Sequence, residues 1–362
     1  MAKNNKKIVF IVHSMGGGGS ERVISILSNY LIENGYDVTL LLTHSNNCVY
    51  NLNPKIKTVL RENVSSKDGL NQIKFIRNQY KKDKNAIFVS FLRRQNLYSL
   101  IAAIGLNVKL IFSERNNPDE KFSIKNKYTY EMRLIKELSR IRQVKQVVFQ
   151  TEGARACYPA KTQKKSQIIA NPLKEDLPMP YEGKREKRIV AVGRLTYQKN
   201  YPLLLKTFKR FSEKHNDYTL EIYGDGSQKM KLQAYIIQLG IQDKARLCGF
   251  STDIHNDILK AGMYIMSSRY EGLSNALLEA MALGLPVIST DHPPGGAKAF
   301  IKSYENGILT ENGNEEELFN AMCYIAEKEE KTLQMGKNAS EIREVLSTEK
   351  ICRQWEEIFR RY

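Results

Sequence analysis

Short apolar runs alternate with amphipathic stretches along the whole chain. In the first half the runs fall at Lys7–His13, Asp37–Thr43, Ala86–Phe91, Val108–Ser113 and Gln146–Gln150. In the second half they fall at Arg188–Gly193, Tyr218–Tyr223, Ala245–Cys248, Met263–Met266 and Pro286–Thr290. Stretches between them, such as Ser20–Asn34 and Asp68–Lys82, show helical spacing. Strands that alternate with helices predict parallel sheets covered by helices, an α/β fold.

A proline-rich segment separates the two series of strands, with Pro172, Pro178 and Pro180 among polar residues. A chain of 362 residues is also longer than one hydrophobic core usually fills. The sequence therefore predicts two doubly wound, Rossmann-like domains that face a cleft. We place the N-terminal domain at residues 1–172, the linker at 173–186, the C-terminal domain at 187–346 and a last helix at 347–362. Ligands of such sheets bind beyond the carboxyl ends of the strands, where we look for functional residues.

Composition narrows the class of protein. A hydrophobic fraction of 42% with 26% charged residues is typical of a globular protein and excludes collagen, a disordered chain or a disulfide-stapled miniprotein. The five cysteines are scattered and form no CxxC pair, which favours reduced thiols over disulfides or a zinc site. The N-terminal apolar run is too short for a signal peptide, and no run approaches the roughly 18 residues that cross a bilayer. We expect a cytoplasmic protein.

The net charge of +17 is unevenly distributed. Residues 1–180 hold 30 basic and 14 acidic side chains, whereas residues 181–362 hold 26 and 25. This asymmetry indicates a polyanionic partner for the first half, although a solubilising surface without a partner gives the same count.

A glycine-rich turn follows the first predicted strand, with Gly16 and Gly17 in a run of four glycines before a helix. Glycines allow backbone N–H groups to approach an anion at the positive N-terminus of a helix. The spacing fits neither GxGxxG nor a P-loop, and a flexible turn is the alternative interpretation.

The second strand series carries further candidates at its strand ends. Gly193 and Arg194 end one strand, and Lys199 follows five residues later, so two cations could neutralise a diphosphate. They could equally be ordinary surface cations. Another strand ends at Gly249 and Phe250, where the backbone could approach a flat ring.

The most specific segment runs from Ser267 to Glu279. A strand ends, a loop presents Glu271, and Ser274 is placed to cap a helix that carries Glu279 on its second turn. The carboxylates could hydrogen-bond two ends of an elongated polyol ligand. A pair of solvated surface carboxylates is the simpler alternative.

These motifs, in this order and followed by the run Ala282–Asp291, resemble the retaining family-4 glycosyltransferases of GT-B fold, of the bacterial surface-polysaccharide type. The resemblance is strongest from Arg188 to Gly307. It implies a donor-binding C-terminal domain, an acceptor-binding N-terminal domain, and a last helix that crosses back to pack on the first domain through Trp355. The segment Ser113–Pro118 is also similar, although Arg115 stands where many members have His.

The resemblance also implies roles for individual residues. Arg194 and Lys199 would hold the diphosphate, and together with Glu271, which would meet the donor sugar, they are the catalytic candidates. Glu279 would bind the ribose. The other expected donor contacts are Gly16, Gly17, Gly193, Gly249, Phe250, Gly272, Leu273 and Ser274.

No metal ligand is assigned, because the chain has no DxD motif, and no cofactor is expected beyond the nucleotide-sugar co-substrate. The five histidines show no HExxH or triad spacing, and no protein nucleophile is evident, which suits a retaining transfer.

The leading hypothesis is a hexosyl- or N-acetylhexosaminyltransferase that uses a nucleotide-diphosphate sugar, UDP-sugar favoured, to extend a lipid-linked glycan for capsule, O-antigen or another surface glycan. Basic clusters in the first half, at Lys81–Lys82, Arg93–Arg94 and Lys121–Arg142, would hold the protein on the anionic inner face of the cytoplasmic membrane. A sugar-nucleotide epimerase or phosphorylase of the same fold is the alternative. A basic nucleic-acid-binding protein is a second alternative, although no nucleic-acid partner is expected because recognisable binding motifs are missing.

Overall fold

Each of the two strand series forms its own parallel sheet. The computed structural model describes residues 6–62, 68–118 and 126–362, with side chains from 129 onward in the last range. The chain divides into two compact units, one made of residues 1–172 with 348–362 and the other of residues 173–347. The predicted α/β class, with two doubly wound sheets, is confirmed.

The sheet of the first unit has seven strands in the order β3-β2-β1-β4-β5-β6-β7. β1 pairs in parallel with both β2 and β4, so the strand order reverses beside it. Its apolar sequence is buried along almost its whole length, as expected for a central strand covered on both faces. The strands are β1 Lys7–Val12, β2 Asp37–Leu42, β3 Lys57–Leu60, β4 Ile87–Phe91, β5 Lys109–Ser113, β6 Val144–Phe149 and β7 Ser166–Ile168.

Within residues 6–62, 68–118 and 126–172, six helices lie between these strands. They are α1 Gly19–Glu33, α2 Gly69–Lys82, α3 Arg93–Ala103, α4 Asn126–Leu138, α5 Glu152–Ala156 and α6 Ala160–Gln163. In α1, Leu27 and Leu31 are fully buried at helical spacing.

The second unit repeats the same strand order over six strands, β10-β9-β8-β11-β12-β13. Its strands are β8 Glu186–Val192, β9 Thr219–Tyr223, β10 Ala245–Gly249, β11 Ala261–Met266, β12 Val287–Asp291 and β13 Ile308–Glu311. Its helices are α7 Tyr201–Lys214, α8 Lys229–Gln238, α9 Ile254–Leu259, α10 Asn275–Ala282, α11 Glu315–Glu327, α12 Glu329–Ser340 and α13 Ile342–Val345. The order reverses between β8 and β11, where a ligand of such a sheet is expected to bind.

The last helix, α14 Thr348–Arg361, belongs to the first unit, as predicted. Trp355 is fully buried and its ring stacks on Phe91 at 5.6 Å. Arg115 lies over the same two rings and donates from Nη1 to Asn171 Oδ1 at 2.8 Å. Burial lowers the pKa of Arg115 to about 9. This arginine is therefore held in the core of the first unit.

Three of the described strands were not predicted from the sequence. In β3 three of the four residues are exposed, and β7 has three residues, so neither shows a buried β pattern. The third is β13, of four residues. The segment expected to be a linker contains no helix or strand before Glu186 and is hydrogen-bonded within the second unit, with Leu173 N donating to Leu346 O at 2.9 Å.

Candidate active site

Backbone segments from three strand ends meet in the second unit. The Gly193 N–H donates to Tyr223 O at 2.9 Å, and the Gly224 N–H donates to Gly249 O at 2.7 Å. A Cβ on Gly224 would collide with the Gly193 carbonyl, and one on Gly193 would lie 2.8 Å from Cε of Lys199. Glycines thus allow the ends of β8, β9 and β10 to approach one another closely and leave space beyond them.

That space is a cavity of about 340 Å³ at the carboxyl ends of these strands. Arg194, Gly224 and Phe250 contribute to its lining. The Phe250 ring is 82% exposed, and the Arg194 side chain is also exposed. A mainly apolar opening beside a cation suits a flat ring that carries an anionic group.

Lys199 and Glu271 form an ion pair, with Nζ 2.6 Å from Oε2 and side chains 13% and 18% exposed. Lys199 ends a single 3-10 turn after β8, and Glu271 lies in the loop after β11. These strands are neighbours on either side of the point where the strand order reverses. The fold therefore brings together two predicted site residues that are far apart in the sequence.

Further backbone contacts hold the Glu271 loop. The Glu271 N–H donates to Pro293 O at 3.1 Å, and the Gly272 carbonyl lies so close to Gly296 that a Cβ on Gly296 would collide with it. Ser267 Oγ donates to Lys199 O at 3.0 Å, which ties the loop to the 3-10 turn. Contacts with the Pro293 segment and with the 3-10 turn therefore hold the loop that carries Glu271.

Glu279 lies on α10 and is 7% exposed. Its Oε2 is 3.0 Å from Nε2 of His255, at the beginning of α9. Tyr264 of β11 is fully buried, and burial is the main cause that raises the pKa of its hydroxyl, with Tyr201, Glu279 and Glu271 adding to the effect. The packing of α9 and α10 therefore gives Glu279 a histidine partner.

His292 directly follows β12 and is 1% exposed. Burial lowers the pKa of its imidazole, while the nearby Glu271 raises it and Lys199 lowers it. Burial therefore favours the neutral form of His292, whose charge is felt by both members of the Lys199–Glu271 pair. In the sequence, His255 and His292 are two of five scattered histidines. The position of His292 at the end of a parallel strand was the available signal.

The beginning of α10 differs in detail from the expectation. Ser274 is the N-cap residue, as predicted, but its side chain does not cap the helix. Leu273 and Ser274 are both nearly buried. The backbone conformation at Ser274 is extended, so the helix begins there without help from the hydroxyl.

The glycine-rich turn lies in the first unit, between β1 and α1. Gly16 and Gly17 are exposed, and Gly17 has φ of +111°, a conformation that favours glycine. The preceding Met15 N–H donates to Asn47 O at 3.1 Å, and Gly18 N–H donates to Tyr50 Oη at 2.8 Å. A second loop therefore supports the turn.

The basic clusters of the first unit differ in exposure. Lys81, Lys82 and Arg94 are exposed, whereas Arg93 Nε lies 3.4 Å from Glu131 Oε2. Of the cluster Lys121–Arg142, residues 121–125 lie outside the described residues. No helix in the described part of the chain is both long and apolar enough to cross a membrane.

Comparison with known proteins identifies the second unit. Residues 177–342 match the family described as glycosyl transferases group 1. This region is a glycosyltransferase group 1 domain. The strand-end cavity, the Lys199–Glu271 pair and Glu279 all lie in that domain.

Similarity to known proteins extends beyond this domain to nearly the whole chain. An uncharacterized glycosyltransferase of Haemophilus influenzae is 28% identical over 98% of this chain and 99% of its own. A Campylobacter jejuni N-acetylgalactosamine-N,N'-diacetylbacillosaminyl-diphospho-undecaprenol 4-alpha-N-acetylgalactosaminyltransferase is 27% identical over 93% and 94%. The crystal structure of Anabaena HepE in complex with UDP has a TM-score of 0.82 at 17% identity, covering 98% of this chain and all of that one. The predicted GT-B fold is confirmed.

Proposed function

We propose that this protein is a retaining hexosyl- or N-acetylhexosaminyltransferase that uses a nucleotide-diphosphate sugar, with UDP-sugar favoured. The observation that carries the proposal is the Lys199–Glu271 ion pair at the point where the strand order of the glycosyltransferase domain reverses. A cation for a departing diphosphate and a carboxylate for sugar hydroxyls stand side by side there. The UDP bound by Anabaena HepE supports the choice of nucleotide.

Different residues of the domain would contact different parts of the donor. Phe250 and the cavity beside it would take the base, and Glu279, steadied by His255, would accept hydrogen bonds from the ribose hydroxyls. Arg194 and Lys199 would bind the diphosphate, helped by the positive N-terminus of α10. Glu271 would accept hydrogen bonds from the sugar.

The same residues suit the chemistry of transfer. The bond between the sugar and the phosphate breaks, and negative charge accumulates on the departing diphosphate, where the fixed cations Arg194 and Lys199 stabilise it. The acceptor hydroxyl attacks from the face that the phosphate leaves and passes its proton to the phosphate oxygen. The anomeric configuration is thereby retained.

The first unit would bind a lipid-linked oligosaccharide acceptor at the inner face of the cytoplasmic membrane, in capsule, O-antigen or other surface-glycan synthesis. Its exposed cations Lys81, Lys82 and Arg94 support an anionic partner. The diphospho-undecaprenol named for the Campylobacter relative supports a lipid-linked acceptor.

A panel of sugar nucleotides tests the donor. The protein is scored for thermal stabilisation by each compound, and the best donor is then offered with synthetic polyprenyl-diphosphate-linked acceptors. We expect stabilisation by one class of nucleotide sugar and a product whose anomeric proton has the configuration of the donor. An inverted product contradicts the retaining mechanism. Epimerised donor without acceptor, or phosphorolysis, would point to the alternative activities.

A further inference from the structure

Away from the strand-end site, three side chains of metal-ligating type meet in the glycosyltransferase domain. His215 directly follows α7, and Cys323 and Glu327 lie one turn apart on α11, which packs on α7. Within the described part of the chain, one ring nitrogen, the thiol sulfur and one carboxylate oxygen lie within 4.8 Å of one another. No residue of the proposed transfer site belongs to this group.

Aromatic packing fixes the orientation of the His215 ring. Phe211 stacks on it with centroids 4.6 Å apart, and Tyr218 meets it edge-on at 6.1 Å. Its Nε2 is buried, and Glu327 Oε1 lies 3.3 Å away. A buried imidazole nitrogen, which can ligate a metal ion in its neutral form, is therefore held beside a carboxylate.

A metal ion that binds here must displace two partners of the group. Cys323 is 7% exposed, and Lys214 donates to Glu327 Oε1 at 2.7 Å. The ion must replace the thiol proton, which is released to solvent, and it must replace Lys214 at the carboxylate oxygen. The thiolate and the carboxylate then supply two negative charges to a divalent cation.

We propose that His215, Cys323 and Glu327 form a transition-metal site, with Zn²⁺ as the preferred ion and water as a fourth ligand. Imidazole nitrogen, thiolate and carboxylate are the donors that Zn²⁺ takes in four-coordinate sites. The ion ties the end of α7 to the last turn of α11. Cysteine spacing alone predicted no zinc site, because Cys323 and His215 meet through the packing of two helices.

Cobalt spectroscopy tests the site independently of any transferase activity. Reduced, chelator-treated full-length protein is titrated with Co²⁺. We expect one equivalent to produce a thiolate-to-cobalt charge-transfer band together with the visible bands of a tetrahedral ion, and Zn²⁺ to abolish both. Cys323→Ser should remove the charge-transfer band, and His215→Gln should weaken binding at least about tenfold. Cys48→Ser, at an exposed thiol, is the matched control and should bind as wild type.

Thermal unfolding supplies a second measurement. Saturating Zn²⁺ should raise the unfolding midpoint of wild type and of Cys48→Ser, because a ligand that binds the folded state stabilises it. Glu327→Gln, a change at an exposed position, should reduce the shift even if Cys323→Ser fails to fold. The proposal is overturned if wild type shows no charge-transfer band, if the band persists in a folded Cys323→Ser, or if His215→Gln and Glu327→Gln both bind as tightly as wild type.

Discussion

The two units share one strand order but use charged side chains in different ways. The first unit holds 33 Lys and Arg against 15 Asp and Glu, and the second holds 23 against 24. In the second unit, charges at the strand ends are arranged in fixed pairs, Lys199 with Glu271 and His255 with Glu279. In the first unit, cations such as Lys81, Lys82 and Arg94 are exposed on the surface.

The corresponding strand ends therefore carry different chemistry. Beyond β1 and β2 of the first unit, the rings of His13 and His44 stack at 4.3 Å, and burial is the main cause that lowers the pKa of His13. β8 takes the place of β1 in the strand order of the second unit, and beyond it lies Lys199, which pairs with Glu271 after β11. The first strand of the sheet is therefore followed by stacked histidines in one unit and by an ion pair in the other.

The largest expected effect concerns the independence of the two units. Trp355→Ala removes a fully buried indole from the first unit and should cost about 3–5 kcal/mol of unfolding free energy. Hydrogen exchange followed by mass spectrometry should show faster exchange in peptides of the first unit, while donor-induced stabilisation of the second unit persists. Leu70→Ala, at a side chain 76% exposed, is the control and should change stability by less than about 0.5 kcal/mol. Equal acceleration in both units would contradict their independence.

The next effect tests the fixed pair of the second unit. If Lys199 binds the diphosphate as proposed, Lys199→Ala removes a cation from the leaving group, so turnover should fall about 10²- to 10³-fold. Initial rates at saturating donor measure this change, and thermal unfolding checks that the variant is folded. Lys206→Ala is the matched control, because that lysine lies on α7, just after the 3-10 turn, and pairs with Glu315 at an exposed position. If a folded Lys199→Ala protein has wild-type turnover, Lys199 is not part of the catalytic site.

Substitutions of Glu279 and Glu271 should change different kinetic constants, KM and kcat. If Glu279 binds the ribose as proposed, Glu279→Gln weakens charged hydrogen bonds to it and should raise the donor KM by about tenfold to 100-fold, or roughly 1.5–3 kcal/mol. If Glu271 binds the transferred sugar as proposed, Glu271→Ala should mainly lower kcat. Steady-state kinetics over a range of donor concentrations separates the constants. If both variants change the same constant, the division of the donor between the two carboxylates is wrong.

Sequence patterns predicted the parts of the fold that depend on local order. Buried β-branched runs gave most strands to within a few residues, and Glu271 and Lys199 stood at strand ends, where parallel topology makes residues converge. The partners could not be predicted, because His255 reaches Glu279 through the packing of α9 on α10 and not through spacing. The missing side-chain cap at Ser274 depends on a rotamer, which a sequence pattern does not determine.

The smallest effect per side chain concerns the exposed cations of the first unit. If they hold the protein on an anionic membrane, each lysine near the surface contributes about 1 kcal/mol, so Lys81→Gln with Lys82→Gln should weaken binding to anionic vesicles about 30-fold. Vesicle co-flotation at low ionic strength measures the change. The matched control is Lys209→Gln with Lys231→Gln, two exposed lysines of the second unit.

The two double variants carry the same change of net charge, so they separate location from total charge. If only the first-unit double variant binds anionic vesicles more weakly, and this difference disappears on neutral vesicles and in high salt, the first unit binds the membrane. Equal weakening by both pairs would mean that only the net charge matters. If neither double variant changes flotation, the excess charge of the first unit only makes its surface soluble. The two units would then differ in the residues at their strand ends and not in membrane binding.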